Sequence, residues 1–432
     1  MRVRIALFLL LGTILNVGRS AEAQSTLSTD ERLRVFIDCA VYGCDYEYFR
    51  TEIPFVDHVR DRAYASLHIL ITSQSTAGGG TEYTLNFIGL NSFAAKHDTL
   101  RAVAQQSATD DEKRAILANT IKLGIIPFIA HSPVATDLRI TYKAAKAANA
   151  TDTAGKKRDP WNFWVFRTSL NGNFSGEESQ HFNYLNASTS ANRTTEEWKI
   201  VIRANGTYNE SKFAFSDGTG FANYSHSYGG SELIVRSAGP HWSFGQKFSL
   251  NSSTYYNQKI TFRFAPAIEY NLFPYSQSTR RQFTLQYSIG GSYFHYEDTT
   301  IFNKIAETHP DHSLIASLDL KQPWGSVSSS LEGATLLDDF AKNRLISFSS
   351  LSLRLFKGLN LNFFGSAQLV RDQLYLAAGG LTQEEVLLRR RQLSTSYRYF
   401  GGIGLSYTFG SIFNNVVNSR FGGSSGNIVF FD

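Results

Sequence analysis

From Trp161 to about residue 410, apolar and polar residues alternate with a period of two, and no other feature narrows the possible folds as much. Between Ile260 and Tyr270, the residues Ile260, Phe262, Phe264, Ile268 and Tyr270 share one face, while Thr261, Arg263, Ala265, Ala267 and Glu269 share the other. The split recurs with Trp198, Ile200, Ile202 and Tyr208 against Lys199, Arg203, Asn205 and Thr207. It recurs again with Phe283, Leu285, Tyr287 and Ile289 against Thr284, Gln286 and Ser288. Soluble sandwiches alternate too, so segment length decides. Runs of about 9–14 residues are long for a sandwich and right for a tilted strand that crosses a bilayer.

Twelve segments carry the pattern, near residues 162–175, 180–191, 196–209, 222–237, 241–256, 258–272, 281–297, 312–321, 324–336, 343–357, 358–370 and 393–409. An even number suits a closed antiparallel wall. Connections on one side, such as Ser237 to Pro240, Lys321 to Trp324 and Lys357 to Gly358, are tight, whereas Glu210 to Phe221, Glu297 to Asp311 and Arg371 to Leu393 are long. The sequence therefore predicts a mainly β fold in which residues 161–410 form an antiparallel barrel of about twelve strands. Composition agrees: the 432 residues include 33 Phe and 21 Tyr but only 42% hydrophobic residues, too few for a polytopic helical protein. The most apolar helical stretch, Ala115 to Ala130, is interrupted by Asn119, Lys122 and Pro127 and is not a spanning helix.

Residues 1–23 read as a signal peptide. Arg2 and Arg4 precede an apolar run from Ile5 to Leu11, and Ala21 to Ala23 supplies the small residues of a cleavage site. Removing its three arginines and one glutamate lowers the formal charge from +5 to +3, too little to imply a nucleic-acid partner. Export places Cys39 and Cys44 in an oxidising compartment, where a local disulfide is expected over a metal site, since no His or Cys cluster accompanies them.

Residues 24–142 change period and predict a small α/β domain. Arg34 to Asp38 is a strand; Phe49, Ile53, Val56 and Val59 recur at helical spacing; Ser66 to Thr72 and Glu82 to Ile88 are strands joined through Gly78, Gly79 and Gly80. A second helix opens with a capping box of Thr109 and Glu112 and is expected to end at Gly124. Residues 143–160 lack any period and form a linker, and residues 411–432 follow the last strand as a tail.

By alternation, Arg167, Lys199, Arg203, Lys247, Arg263, Lys321, Arg354 and Arg398 face inward with Glu269, Asp319 and Glu332. A water-filled lumen so lined favours anions, while a dry one needs these charges paired into a plug. In the longest connection, a second capping box of Thr382 and Glu385 precedes Arg389, Arg390 and Arg391, placed either to plug the lumen or to contact lipopolysaccharide phosphates. His241 and Ser243 resemble the His-x-Ser arrangement of the outer-membrane phospholipase, but Phe244 and Gly245 replace that enzyme's Asn-Gly, and His241 falls at the wrong end of its strand. No residue is assigned a catalytic role, and no cofactor or metal is expected.

Gly404, Tyr407 and Phe409 match the last fixed positions of a polar-x-Gly-x-x-apolar-x-aromatic pattern. In this respect residues 161–410 resemble bacterial outer-membrane β-barrel proteins, in which the pattern is an insertion signal. Val59 to Arg62 followed by Leu67 to Gln74, together with Tyr407 to Asn418, resemble a little-characterised group of exported barrels that begin with a small periplasmic α/β domain. The resemblance implies an outer-membrane location with the N-terminal domain in the periplasm. Contact with outer-membrane lipid and lipopolysaccharide is expected with that location, as is a protein partner in the envelope recruited through residues 24–142. It brings no assigned activity. The expected role is a scaffold or subunit of an outer-membrane assembly with a narrow or plugged lumen, the alternative an anion-biased pore, and a lipid hydrolase stands third.

Overall fold

The computed structural model describes residues 32–139 except 40, 42, 43, 77 and 131, residues 159–379 except 215–217, and residues 395–417 except 414. The signal peptide, linker residues 143–158, the Thr382 capping box, Arg389, Arg390, Arg391 and the tail from 418 onward lie outside the described residues.

The first region is a five-stranded sheet of order β2-β1-β3-β4-β5, built from β1 (Arg34–Cys39), β2 (Asp57–His58), β3 (Leu67–Ser75), β4 (Thr81–Gly89) and β5 (His97–Ala104). β1 runs parallel to β2 and β3, and β3, β4 and β5 form an antiparallel meander. Two helices, α1 (Tyr46–Glu52) and α2 (Asp110–Ile129), complete it, with α2 packed on β4 and β5. The core is dry: Phe49, Ile69, Leu85, Phe87, Ile121 and Ile125 are wholly buried. Each such side chain contributes about 1.5–3 kcal/mol of transfer free energy. Cys39 and Cys44 are joined in a disulfide across the β1–α1 loop.

Two local expectations fail for visible reasons. The helical spacing of Phe49, Ile53, Val56 and Val59 does not make one helix, because α1 stops at Glu52 and Ile53 is its non-helical C-cap. Pro54 follows, and its ring bars the preceding residue from helical conformation. Val56 and Val59 are nevertheless buried, flanking β2 instead. Nor does Gly124 end α2, which continues to Ile129. A Cβ at Gly124 would lie 1.9 Å from the Phe87 ring, so the glycine permits close approach of helix and sheet. The capping box stands: Glu112 N donates to Thr109 Oγ1 at 3.2 Å, and Thr109 N donates to Glu112 Oε2 at 2.7 Å.

The second region is a twelve-stranded antiparallel sheet. Its strands are β6 (Trp164–Gly176), β7 (Gln180–Thr194), β8 (Trp198–Ala214), β9 (Gly220–Ser237), β10 (Trp242–Ser253) and β11 (Gln258–Asn271). They continue with β12 (Arg281–Tyr296), β13 (Ala306–Gln322), β14 (Gly325–Leu336), β15 (Asn343–Phe356), β16 (Leu359–Val370) and β17 (Tyr397–Tyr407). Every strand pairs with its sequence neighbours, the connectivity of an up-and-down barrel wall. Among the described residues, no pairing joins β6 to β17. The sheet curls, so that residues of β10 to β15 line one cavity on its polar face. The other face carries exposed aromatic and aliphatic side chains, among them Phe262, Phe264, Ile289 and Leu314. In its membership and strand order the fold is the mainly β architecture expected, with a small α/β region in front.

Candidate functional site

The concave face and its two ends hold the polar chemistry of the molecule. Directly opposed residues in antiparallel pairs lie on the same face of a sheet. The register therefore builds a continuous lateral row, Arg167–Ser190–Arg203–Ser231–Ser249–Arg263–Ser292–His309. Arg167 stands near the start of β6 and His309 near the start of β13, and these starts lie at opposite ends of the wall. The row thus climbs from one end of the concave face to the other.

Along the row the cations differ in their partners. Arg263 grips Asp311 with both Nε and Nη2, Nε donating at 2.9 Å, and Ser292 donates to the same carboxylate at 2.6 Å. Arg344 donates to Glu332 at 2.9 Å and to Asp372 at 3.1 Å, tying the wall to the long connection. These pairs line a cavity of about 360 Å³, which Lys247 joins from β10. Arg167, Lys199 and Arg203 have no ion-pair partner among the described residues. They line a larger space of about 770 Å³ between the wall and the tip of the β3–β4 hairpin.

The end formed by the short turns is covered by the α/β region. Arg354 reaches from β15 to fork onto Asp38 of β1, with Nη1–Oδ2 at 2.7 Å and Nη2–Oδ1 at 2.6 Å, and also donates to the Pro323 carbonyl at 2.9 Å. Its guanidinium lies 4.9 Å from the centre of the Phe36 ring. Behind Asp38, Arg62 Nε donates to His68 Nδ1 at 3.2 Å, which leaves His68 Nε2–H to donate to Asp38 at 3.1 Å. Burial raises the Asp38 carboxyl, but the hydrogen bonds from His68 and Arg354, with the charge of Arg354, outweigh it and hold it below its usual value. Burial holds the His68 imidazole below its own, despite Asp38.

Residues beyond β17 complete this junction. Arg60 N donates to the Ile412 carbonyl at 3.1 Å, and Val59 bridges antiparallel to Phe413. Asn415 accepts from His58 N at 2.6 Å and donates to Asp57 at 2.9 Å. The Gly358 amide, in the β15–β16 turn, donates to Asp61 at 2.6 Å. The free edge at β2 is thus covered by the segment that leaves the barrel wall.

At the opposite end the long connections fold over one another. Tyr296, Leu336 and Leu374 form a buried apolar cluster. Ile301 N donates to the Leu376 carbonyl and Ala378 N to the Thr299 carbonyl, both at 2.8 Å, so the segment after β16 pairs with the β12–β13 connection.

The sequence-selected residues fall as follows. Register puts Arg167, Lys199, Arg203, Lys247, Arg263, Asp319, Lys321 and Glu332 on the concave face, with Glu269 beside them accepting from the Tyr275 hydroxyl at 2.7 Å. Arg398 opposes Gln368 beside the free edge of β17. Arg354, expected in the lumen, is committed to Asp38 at the rim. Gly404 and Tyr407 lie in β17, and Phe409 beyond it is 77% exposed. His241 Nδ1 engages the Asn271 carbonyl at 2.7 Å while Ser243 donates to Tyr275, so neither serves the other. The Asp38, His68 and Asn415 contacts went unforeseen. Their only sequence signal was the buried-type spacing of β1 and β3, which does not name a partner more than 300 residues away.

No family model matches the chain, and no curated protein matches it. Among solved structures, it is similar to the translocator domain of autotransporter NalP from Neisseria meningitidis, at 10% sequence identity over 57% of this chain and 82% of that one, with a TM-score of 0.20. At that score the fold rests on the strand pairing described above.

Proposed function

We propose that this chain is an integral outer-membrane β-barrel protein whose periplasmic α/β domain caps its own barrel, giving a plugged scaffold that serves as a subunit of an envelope assembly. The carrying observation is the Asp38–Arg354 fork with the strand-like addition of Ile412 and Phe413 beside Val59, which seats the domain on the short-turn end. The exposed aromatic convex face suits acyl chains, and the hydroxyl-rich concave face suits an enclosed lumen. Unpaired backbone is too costly in hydrocarbon, so in the membrane β6 closes against β17. The outer edge of the domain at β5, which among the described residues pairs with β4 alone, is the surface offered to a partner. The role is non-enzymatic.

The test is single-channel recording of the full-length protein in planar bilayers. Wild type is silent, and Arg354→Glu, which sets a carboxylate against Asp38, opens intermittent current. Steady current in wild type would replace the scaffold with the pore. The unpaired Arg167, Lys199 and Arg203 favour that second reading, and it predicts anion preference. Disulfide trapping of Phe166→Cys with Leu405→Cys checks closure, and absence of any cross-link along β6 and β17 would remove the barrel. Ser243→Ala leaves lipid hydrolysis at background.

A further inference from the structure

The space between cap and wall is chemically lopsided. Arg167, Lys199 and Arg203 line it from β6 and β8, and Thr76, Gly79 and Gln106 line it from the α/β domain. Among the described residues that line it there is no carboxylate. Elsewhere on the same face Arg263 and Arg344 are matched by Asp311, Glu332 and Asp372, so the absence of acids here is local. Arg167 and Arg203 sit directly across β7 from one another with Ser190 between them. Two strand spacings separate their Cα atoms by roughly 10 Å, and Lys199 lies roughly 13 Å from Arg203 along β8. Ser190 Oγ accepts from Asn192 at 3.4 Å, which leaves its own proton free to donate.

Arg167, Lys199 and Arg203 are solvent-exposed cations gathered on one concave face, where a counter-charge is favoured, and guanidinium groups bind phosphate oxygens with paired donors. We propose that this chamber is a binding site for a soluble anion carrying two or more linked charged groups, of the polyphosphate type. Arg167 and Arg203 each take one group, the Ser190 hydroxyl bridges them, Lys199 adds its charge, and Gln106 approaches from the cap. A linked pair of anionic groups sets the preference, because it gives each guanidinium its own charged centre, whereas a single tetrahedral anion has to be shared between them. This rests on the capped arrangement proposed above and adds a ligand to it.

The experiment is calorimetric titration of the full-length protein in detergent with pyrophosphate, compared with inorganic phosphate. Pyrophosphate binds at least about tenfold more tightly than phosphate, since it gains a second charge-assisted contact. Arg203→Glu weakens pyrophosphate by about tenfold or more, Arg203→Lys retains most of the affinity, and Gln106→Glu weakens it by a smaller factor. Arg236→Glu, a charge reversal on the convex face beside Trp198, leaves it unchanged. Heat-modifiable gel migration confirms that each variant is folded, and Arg167→Gln supplies a milder substitution. No wild-type binding, equal affinity for both anions, or an equal loss in Arg236→Glu overturns the site. Loss in Arg203→Glu with none in Gln106→Glu overturns the shared chamber. Silent bilayers with no titration defeat the site and spare the cap, whereas titration together with open wild-type current defeats the cap.

Discussion

The two regions obey one alternation rule with opposite solvents. In the α/β region Phe87 is fully buried against Gly124, and the core it joins is apolar. In the twelve-stranded sheet Phe264 is 47% exposed on the convex face, while Arg263 of the neighbouring position turns inward to Asp311. Side-chain periodicity fixes which residues share a face, and the medium beyond each face decides which one is apolar. The Asp38–Arg354 junction is where the two conventions meet, a charged contact between a dry core and a polar concavity.

The largest expected contrast is in aromatic truncation. Phe87→Ala destabilises the α/β domain by about 3–5 kcal/mol in urea melts followed by near-ultraviolet circular dichroism. Phe264→Ala in detergent changes wall stability by less than about 1 kcal/mol, because its ring faces the surrounding medium. Equal losses would mean that the convex face is packed against protein. Next in size is Asp38→Asn, which strips the fork from Arg354 and loosens the cap by about 1–3 kcal/mol, seen as faster trypsin cleavage within residues 143–158. Unchanged cleavage would leave the tail segment as the main tether.

Smaller still is the response to acid. The His68 imidazole is held below its ordinary value, so the unfolded chain takes up a proton first and cap stability declines as pH falls below about 6.5. The Asp38 carboxyl is also depressed; its contribution is complete above about pH 4 and is lost as pH falls through its lower folded value. A thermal melt of His68→Gln should therefore be flatter between pH 6.5 and 5 than wild type. A wild-type profile that is flat there contradicts the neutral His68. The smallest effect is Thr109→Ala, about 1 kcal/mol from loss of the α2 cap, confined to the α/β domain.

Much of the wall was legible because long alternating runs report on themselves. The expected segments at 281–297 and 343–357 match β12 and β15 to within a residue at each end. β13 was read as beginning near 312, but it starts at Ala306, since Glu307, Thr308, His309 and Pro310 carry little apolar contrast. The faces of Arg167 and Arg203 followed from parity alone. Their lack of an ion-pair partner among the described residues did not, because ion pairing depends on strands two apart, as Arg263 of β11 finding Asp311 of β13 illustrates. Gly124 misled because a helix-ending glycine and a close-packing glycine are identical in sequence. The junction was hidden most deeply: Asp38 and Arg354 are unremarkable alone, and only the folded wall brings them together.

The segment that covers β2 gives the molecule an order of assembly. Asn415 meets His58 and Asp57 across more than 350 residues of chain, so the first region keeps an unfinished edge until the chain beyond β17 has folded back onto it. Contacts of such long sequence separation form late, after the loop entropy between them has been met. Seating of Phe413 beside Val59 therefore follows completion of the wall, and a wall stopped short of β17 leaves the β2 edge of the first sheet uncovered.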